Sequence, residues 1–376
     1  MKILQVIPYF TFSRGGDVNV CYNLSKNLTS MGHEVTILTT TFEYDEEDTA
    51  SINNLTMCPV EYKFNFALFI YSPDMKSWLE EHLREYDIVH LHELRSYQNN
   101  IVMDYARKYG VKYVLQPHAS TPKHVDKRLF KEAYDFVYGN RIMRNASCVI
   151  AVSRSEEYYD RLMGAKDVEV VYNGMNLEDY SILPEIGTFK KSASITSPYI
   201  LYLGRMDKLK GIDHLIKAFS LFSESYPDYK LVIAGKISDY KSVLNDIIRE
   251  KRLDDKVVFT GFVKEEDKIS IYRDADVFVN PVKYMGGVSL TVFESLLAHT
   301  PVVVSPESGE LVKEIGAGRI VDYGDVEAIK DAIIDCVEDK AKNCEEIRNA
   351  EQYIQTNLSW QAVTERVLKI YERVIR

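Results

Sequence analysis

The sequence predicts an α/β protein made of two Rossmann-like, doubly wound domains facing a central cleft. Three observations predict it. The chain has 376 residues, too long for one ordinary core and suited to two domains of ~150–200 residues each. Short apolar runs alternate with amphipathic stretches throughout, the pattern of parallel sheets with crossover helices. The pattern occurs twice, on either side of residues 181–197, which are rich in Ser, Thr, Pro and Lys and read as a linker.

In the first half, strands are expected over 3–7, 35–39, 88–91, 111–116 and 148–152, with amphipathic helices over 18–31 and 75–85. In the second half, strands fall over 199–203, 230–234, 256–260, 277–280 and 301–305. Helices fall there over 212–223, 242–252, 266–275, 290–298 and 326–339. A last amphipathic helix, 359–376, could pack on either domain. No short solenoid period is present.

Composition narrows the function. Hydrophobic residues make up 46% and charged residues 27%, which describes a folded, soluble chain. A net charge of −10 argues against nucleic acid as a partner, since that needs a dominant positive field. The five cysteines are odd in number and form no CxxC pair, so neither a disulfide nor a zinc framework is expected and a reducing cytoplasm fits. The opening MKILQVIPYF reads as a strand rather than a signal peptide. No apolar run reaches ~18 residues, so no membrane span is expected.

Four segments carry candidate chemistry. Gly15-Gly16 follows the first strand and opens the first helix, where free N–H groups and the helix dipole favour an anion; a plain tight turn reads equally well. Gly204-Arg205…Lys210-Gly211 follows a strand in the second half. Its Arg and Lys could converge on one diphosphate, or lie in a solvated charged loop. Gly286-Gly287-Val288-Ser289-Leu290-Thr291 leads into an apolar helix whose N–H groups near Leu290 and Thr291 could receive phosphate oxygens. Glu294 would lie about 6 Å further along that axis, within reach of ribose hydroxyls, or else be a buried structural carboxylate needing a partner. His118, in Gln116-Pro117-His118-Ala119-Ser120, stands at a strand's carboxyl end, where open α/β sheets bind ligands; a satisfied surface histidine reads equally well. His90 and His92 with Glu93 suggest metal at first sight. No third ligand is evident, which favours a polar cluster at the sheet end.

In order along the chain, these segments resemble glycosyltransferase family 4, the retaining GT-B enzymes. The resemblance also rests on Val89-His90-Leu91-His92, Ala151-Val152-Ser153, Val171-Tyr172-Asn173-Gly174-Met175-Asn176, Thr260-Gly261-Phe262-Val263 and Phe293-Glu294-Ser295-Leu296. It covers nearly the whole chain. It implies an acceptor-side domain over 1–180, with the helix 359–376 crossing back to it, and a nucleotide-sugar-binding domain over 198–358. Arg205 and Lys210 match the pair that neutralises the donor diphosphate. Glu294 matches the ribose-binding second Glu of the family's E-x7-E motif, and Gly16 the loop glycine near the phosphates. His118 matches the histidine beside the transferred sugar, and Val263 lies where the family holds the base. The implied partners are a UDP- or GDP-sugar and a glycan or lipid-linked acceptor, as in polysaccharide biosynthesis, with hexosyl transfer at retained configuration.

The first Glu of that motif falls on Gly286, and no acid lies between Asp276 and Glu294. In the family this carboxylate contacts the transferred hexose. Gly286 therefore leaves open a non-catalytic sugar-nucleotide-binding partner, and a nucleotide-sugar epimerase of the same fold is a further alternative. A nicotinamide dehydrogenase does not fit, because no GxGxxG with a downstream acid occurs. No cofactor or metal is expected, since no DxD motif stands in a suitable loop.

The acceptor is read only from composition. Residues 62–78 are unusually aromatic, and Lys123, Lys127, Arg128, Lys131, Arg141 and Arg144 form a basic stretch. Ordinary core plus a solvated helix face accounts for both. Peripheral contact with the inner membrane face is the alternative.

Overall fold

The computed structural model describes residues 1–44, 54–66, 69–121, 128–283 and 289–376. It divides into two compact units, Met1–Gly174 with Leu358–Arg376, and Met175–Asn357.

The strands of the first unit are β1 (Lys2–Val6), β2 (Glu34–Thr40), β3 (Leu55–Val60), β4 (Phe64–Phe66), β5 (Phe69–Tyr71), β6 (Ile88–His92), β7 (Tyr113–Gln116), β8 (Cys148–Ala151) and β9 (Val168–Val170). Seven of them form one sheet in the order β3-β2-β1-β6-β7-β8-β9, with every pair parallel. β4 and β5 pair as an antiparallel hairpin. Alternation along the strands divides the core between two faces. Leu4, Val89, Leu91 and Leu115 pack with Met75, Leu79 and Val102. Ile3, Ile88, Val114 and Ile150 pack with Leu24, Leu28, Val363, Val367 and Tyr371. The last helix, Trp360–Ile375, therefore belongs to this unit. Its Ser359 caps the Ala362 N–H at 3.2 Å. At its start, the Trp360 ring lies so close to Gly174 that an added Cβ there would sit 2.5 Å away.

The second unit repeats the plan with β10 (Tyr199–Leu203), β11 (Lys230–Ala234), β12 (Val257–Gly261), β13 (Val277–Asn280), β14 (Val302–Val304) and β15 (Arg319–Ile320). Their order is β12-β11-β10-β13-β14-β15, again parallel throughout. The segment 181–197, expected to be a linker, is folded into this unit. Residues Thr188–Ser192 are helical and Phe189 is buried against Tyr199. The Asp274 carboxylate accepts from the N–H groups of Gly187 and Lys190, the latter at 2.8 Å.

Both sheets reverse strand order at one point. In the first it lies between β1 and β6, in the second between β10 and β13. In open α/β sheets the loops leaving the carboxyl ends at such a reversal diverge, and the crevice between them is the usual ligand position.

Candidate active site

In the second unit the loop after β10 is built by close backbone approach. Gly235 has φ +137°, and a Cβ there would lie 2.0 Å from the Gly204 carbonyl oxygen. Gly211 has φ +68°, and its Cβ would lie 2.2 Å from the Pro281 carbonyl oxygen. Only glycine fits either place, so the loops after β10, β11 and β13 press together at the reversal. Within this frame the Tyr202 hydroxyl donates to the Arg205 carbonyl at 2.9 Å, and Asp207 caps the Leu209 N–H at 3.0 Å. Arg205 is exposed and Lys210 half-buried. Neither side chain has an ion pair or hydrogen bond among the described residues. Burial lowers the Lys210 ammonium below its usual range; Asp207 opposes this and the Arg205 charge adds to it. Two neighbouring cations with no ion pair among the described residues are a favourable setting for an anion. Lys283, which sequence reasoning did not single out, is tied to the same loop by its N–H bond to the Leu209 carbonyl, 2.8 Å. Its ammonium lies 5.7 Å from the Tyr323 ring centre.

After β13 comes the helix Leu290–Leu297, with Ser289 as N-cap. The Ser289 hydroxyl is 2.9 Å from Asn280 Nδ2 and 2.8 Å from Thr291 Oγ1, and does not cap the helix. The first-turn N–H groups at Leu290 and Thr291 are left without a side-chain cap. Gly286 and Gly287 lie outside the described residues. Glu294 is held from two sides, Oε1 by Lys268 Nζ at 2.7 Å and Oε2 by the Tyr272 hydroxyl at 3.0 Å. Neither partner was legible in the sequence. Each carboxylate oxygen still has a lone pair to offer. Val263 is half-buried just beyond β12, beside an exposed Phe262.

In the first unit, Gly15 has φ +140° and forms the N-cap of the helix Gly16–Ser30. A Cβ on Gly16 would meet nothing within 4 Å, so the loop offers open backbone there. His118 and Ala119, after β7, both adopt left-handed φ, +55° and +61°, a strained state for side-chain-bearing residues. The loop is clamped: Arg95 donates to the carbonyls of Ser120 and Thr121 while paired with Asp135, and Glu156 accepts from the Ala119 N–H. His90 and His92 face other side chains. His90 Nδ1 lies 2.6 Å from the Tyr371 hydroxyl, and His92 bridges Gln5 and His118 at 2.7 Å each. Beside them the Tyr9 hydroxyl donates to Asp17 at 2.8 Å. Burial and the Asp17 charge push the Glu93 carboxyl up to about 8.

Two Rossmann-like units with ligand-competent loops at both strand reversals define a GT-B architecture. Residues 14–179 match the family model described as Glycosyltransferase Family 4, and residues 187–353 the model for glycosyl transferases group 1. A phosphatidyl-myo-inositol mannosyltransferase of Mycolicibacterium smegmatis is 25% identical over 100% of this chain and 94% of its own length. An uncharacterized glycosyltransferase of Methanocaldococcus jannaschii is 27% identical over 95% of this chain and 94% of its own. The Anabaena protein HepE, solved in complex with UDP, superposes with a TM-score of 0.81 at 18% identity, covering 99% of this chain and 100% of that one.

The chain belongs to the family 4, group 1 glycosyltransferases. It is an enzyme of nucleotide-sugar-dependent glycosyl transfer. No helix among the described residues is long and apolar enough to cross a membrane.

Proposed function

We propose that the chain is a retaining hexosyltransferase that takes its sugar from a UDP- or GDP-sugar without a metal or other cofactor. The observation that carries this reading is the pair Arg205 and Lys210 at the strand reversal of the second sheet, whose side chains have no ion pair or hydrogen bond among the described residues. As the glycosidic bond breaks, negative charge grows on the diphosphate. Fixed cations there stabilise the transition state more than the ground state. Gly204 and the N–H groups of Ser289, Leu290 and Thr291 hold the phosphate oxygens, with Gly287, which precedes them in sequence, a further donor contact. Glu294 binds the ribose diol, and Val263 the base. In the first unit, Gly15 and Gly16 serve the phosphates and His118 the transferred sugar. No clear nucleophilic carboxylate stands out among the described residues, so front-face attack, with the departing phosphate taking the acceptor's proton, is the proposed route to retention.

UDP is the nucleotide held by one structural neighbour, and a lipid mannosyltransferase stands among the relatives. These support a UDP-sugar donor and a lipid-linked acceptor, with a glycan acceptor the alternative. Phe130, Phe136 and Val137 are exposed on the helical stretch that also carries Lys131, Arg141 and Arg144, and Phe64 and Phe66 are exposed on the β4–β5 hairpin. Such residues suit peripheral contact with an anionic membrane. Of the basic stretch, Lys123 and Lys127 lie outside the described residues.

A thermal-shift screen with UDP, GDP, ADP and their sugars tests the donor, because a ligand bound only by the folded state raises its melting temperature. A shift with a UDP or GDP compound, lost in Arg205→Ala, is expected. A panel without any shift refutes the reading. Flotation with anionic liposomes tests membrane contact, and no binding counts against it.

A further inference from the structure

The strand reversal of the first sheet ends in a chain of buried polar groups that reaches from the last helix to His118. The Tyr371 hydroxyl lies 2.6 Å from His90 Nδ1 and 3.3 Å from Gln5 Nε2. Gln5 Oε1 lies 2.7 Å from His92 Nε2, and His92 Nδ1 lies 2.7 Å from His118 Nε2. The rings of His92 and His118 are within 9° of parallel at 5.0 Å between centres, which with that short contact makes an in-plane N–H···N bond. His118 Nδ1 is buried and has no hydrogen-bond partner among the described residues.

With Gln5 Nε2 facing Tyr371 and Oε1 facing His92, proton counting along this chain has one solution. Gln5 gives an N–H to Tyr371, so its other end, Oε1, can only accept. The proton between Gln5 and His92 therefore sits on His92 Nε2. Burial keeps all three imidazoles neutral, lowering His90 to about 3 and His118 to about 4, with His92 also well below its usual value. A neutral ring carries a single N–H. His92 Nδ1 is then an acceptor, and the proton it receives belongs to His118 Nε2. His118 Nδ1 is left bare. Tyr371, accepting from Gln5, is free to give its own proton to His90.

We propose that Gln5, His92 and Tyr371 are positioning residues that hold His118 in its Nε2–H tautomer, so that Nδ1 stands as a bare acceptor for a sugar hydroxyl. This deepens the reading of His118 as the residue facing the transferred sugar and rests on it for the identity of the hydroxyl. Asp17 is the charge that acts on the same imidazole. An acceptor nitrogen beside a carboxylate takes a hydrogen-bond donor and disfavours a phosphate oxygen. The chain also gives the last helix a task in the site, because its Tyr371 hydroxyl is the partner of the Gln5 amide.

Nitrogen-detected NMR of the 15N-histidine-labelled full chain reads the tautomer directly. Wild type should show His118 with a proton on Nε2 and none on Nδ1. Gln5→Met removes the acceptor that fixes His92, and Tyr371→Phe releases the Gln5 amide to turn; each should make the Nδ1–H form of His118 appear. Tyr371→Phe is mild enough to keep the test alive where Gln5→Met fails to fold. An Nδ1–H signal in wild type, or an unchanged tautomer in a folded variant of either kind, overturns the proposal. Turnover separates the two readings. Mixing tautomers should lower kcat/KM by up to about tenfold, the weight of roughly one hydrogen bond. Full activity in His118→Ala, with the tautomer as expected, would remove the sugar hydroxyl from the proposal and leave the control of the tautomer standing.

Discussion

Lys268→Met isolates what holds Glu294. In the wild type a 2.7 Å ion pair and a 3.0 Å hydrogen bond fix the carboxylate, whose side chain is 13% exposed against 20% for Lys268. Removing one partner of a buried pair costs ~3–5 kcal/mol, because the other charge is left in a poor solvent. Partial exposure lets water relieve some of this, so about 2–3 kcal/mol is expected. At roughly 2–4 °C per kcal/mol for a unit of this size, melting should fall by about 5–10 °C. Adding Glu294→Gln removes the orphaned charge while keeping an acceptor for the Tyr272 hydroxyl. The double variant should therefore melt well above the sum of the two single losses, with a coupling of about 2 kcal/mol.

Two probes keep the result interpretable. Both tryptophans, Trp78 and Trp360, lie in the first unit, so their fluorescence reports that unit. Far-ultraviolet circular dichroism reports both. The loss should appear in the dichroism and be weaker in the fluorescence. A Lys268→Met melting point within about 1 °C of wild type, or strict additivity in the double variant, would refute the argument that this pair is a buried, mutually dependent unit.

Three further outcomes are expected. Arg205→Ala should lower turnover by ~10²-fold or more, as loss of a preorganised transition-state donor does, and an unchanged rate would refute its assignment. Gly211→Ala should destabilise the second unit, since its Cβ would lie 2.2 Å from the Pro281 oxygen, whereas Gly16→Ala should leave stability nearly unchanged but impair donor binding; denaturation midpoints and nucleotide titration separate the two. The third concerns pH. Burial pushes Asp160 up to about 7 from ~3.9 in the unfolded chain. A carboxyl raised in this way contributes its full stability below the unfolded value and loses it as pH rises through the folded one. Stability should fall between about pH 4 and pH 7, by at most ~1.4 kcal/mol per unit from this group. Asp160→Asn should flatten that slope in urea unfolding, and an identical slope in the variant would exclude it.

What the sequence disclosed and what it withheld follow from sequence distance. Strands buried on both faces announce themselves as apolar runs, so β1, β6, β10 and β13, which flank the two reversals, were expected where they lie. Glycines forced by close approach, such as Gly211, stood out beside the charges they position. The edge strand β3 was missed because Leu55–Val60 is only partly buried and carries Pro59, tolerated at an edge and discouraging elsewhere. The segment 181–197 looked like a linker because its anchor, Asp274, lies 84 residues beyond Lys190. The partners that decide what the site side chains do are further still: Lys268 stands 26 residues before Glu294, and Gln5 is 366 residues from Tyr371. Local pattern singles out candidate residues. Their ionisation and tautomer depend on groups that only the folded chain brings within hydrogen-bond distance. His118 illustrates this. Its place at a strand end was legible, but the bare Nδ1 follows from a proton order that begins at Tyr371, on the last helix of the chain.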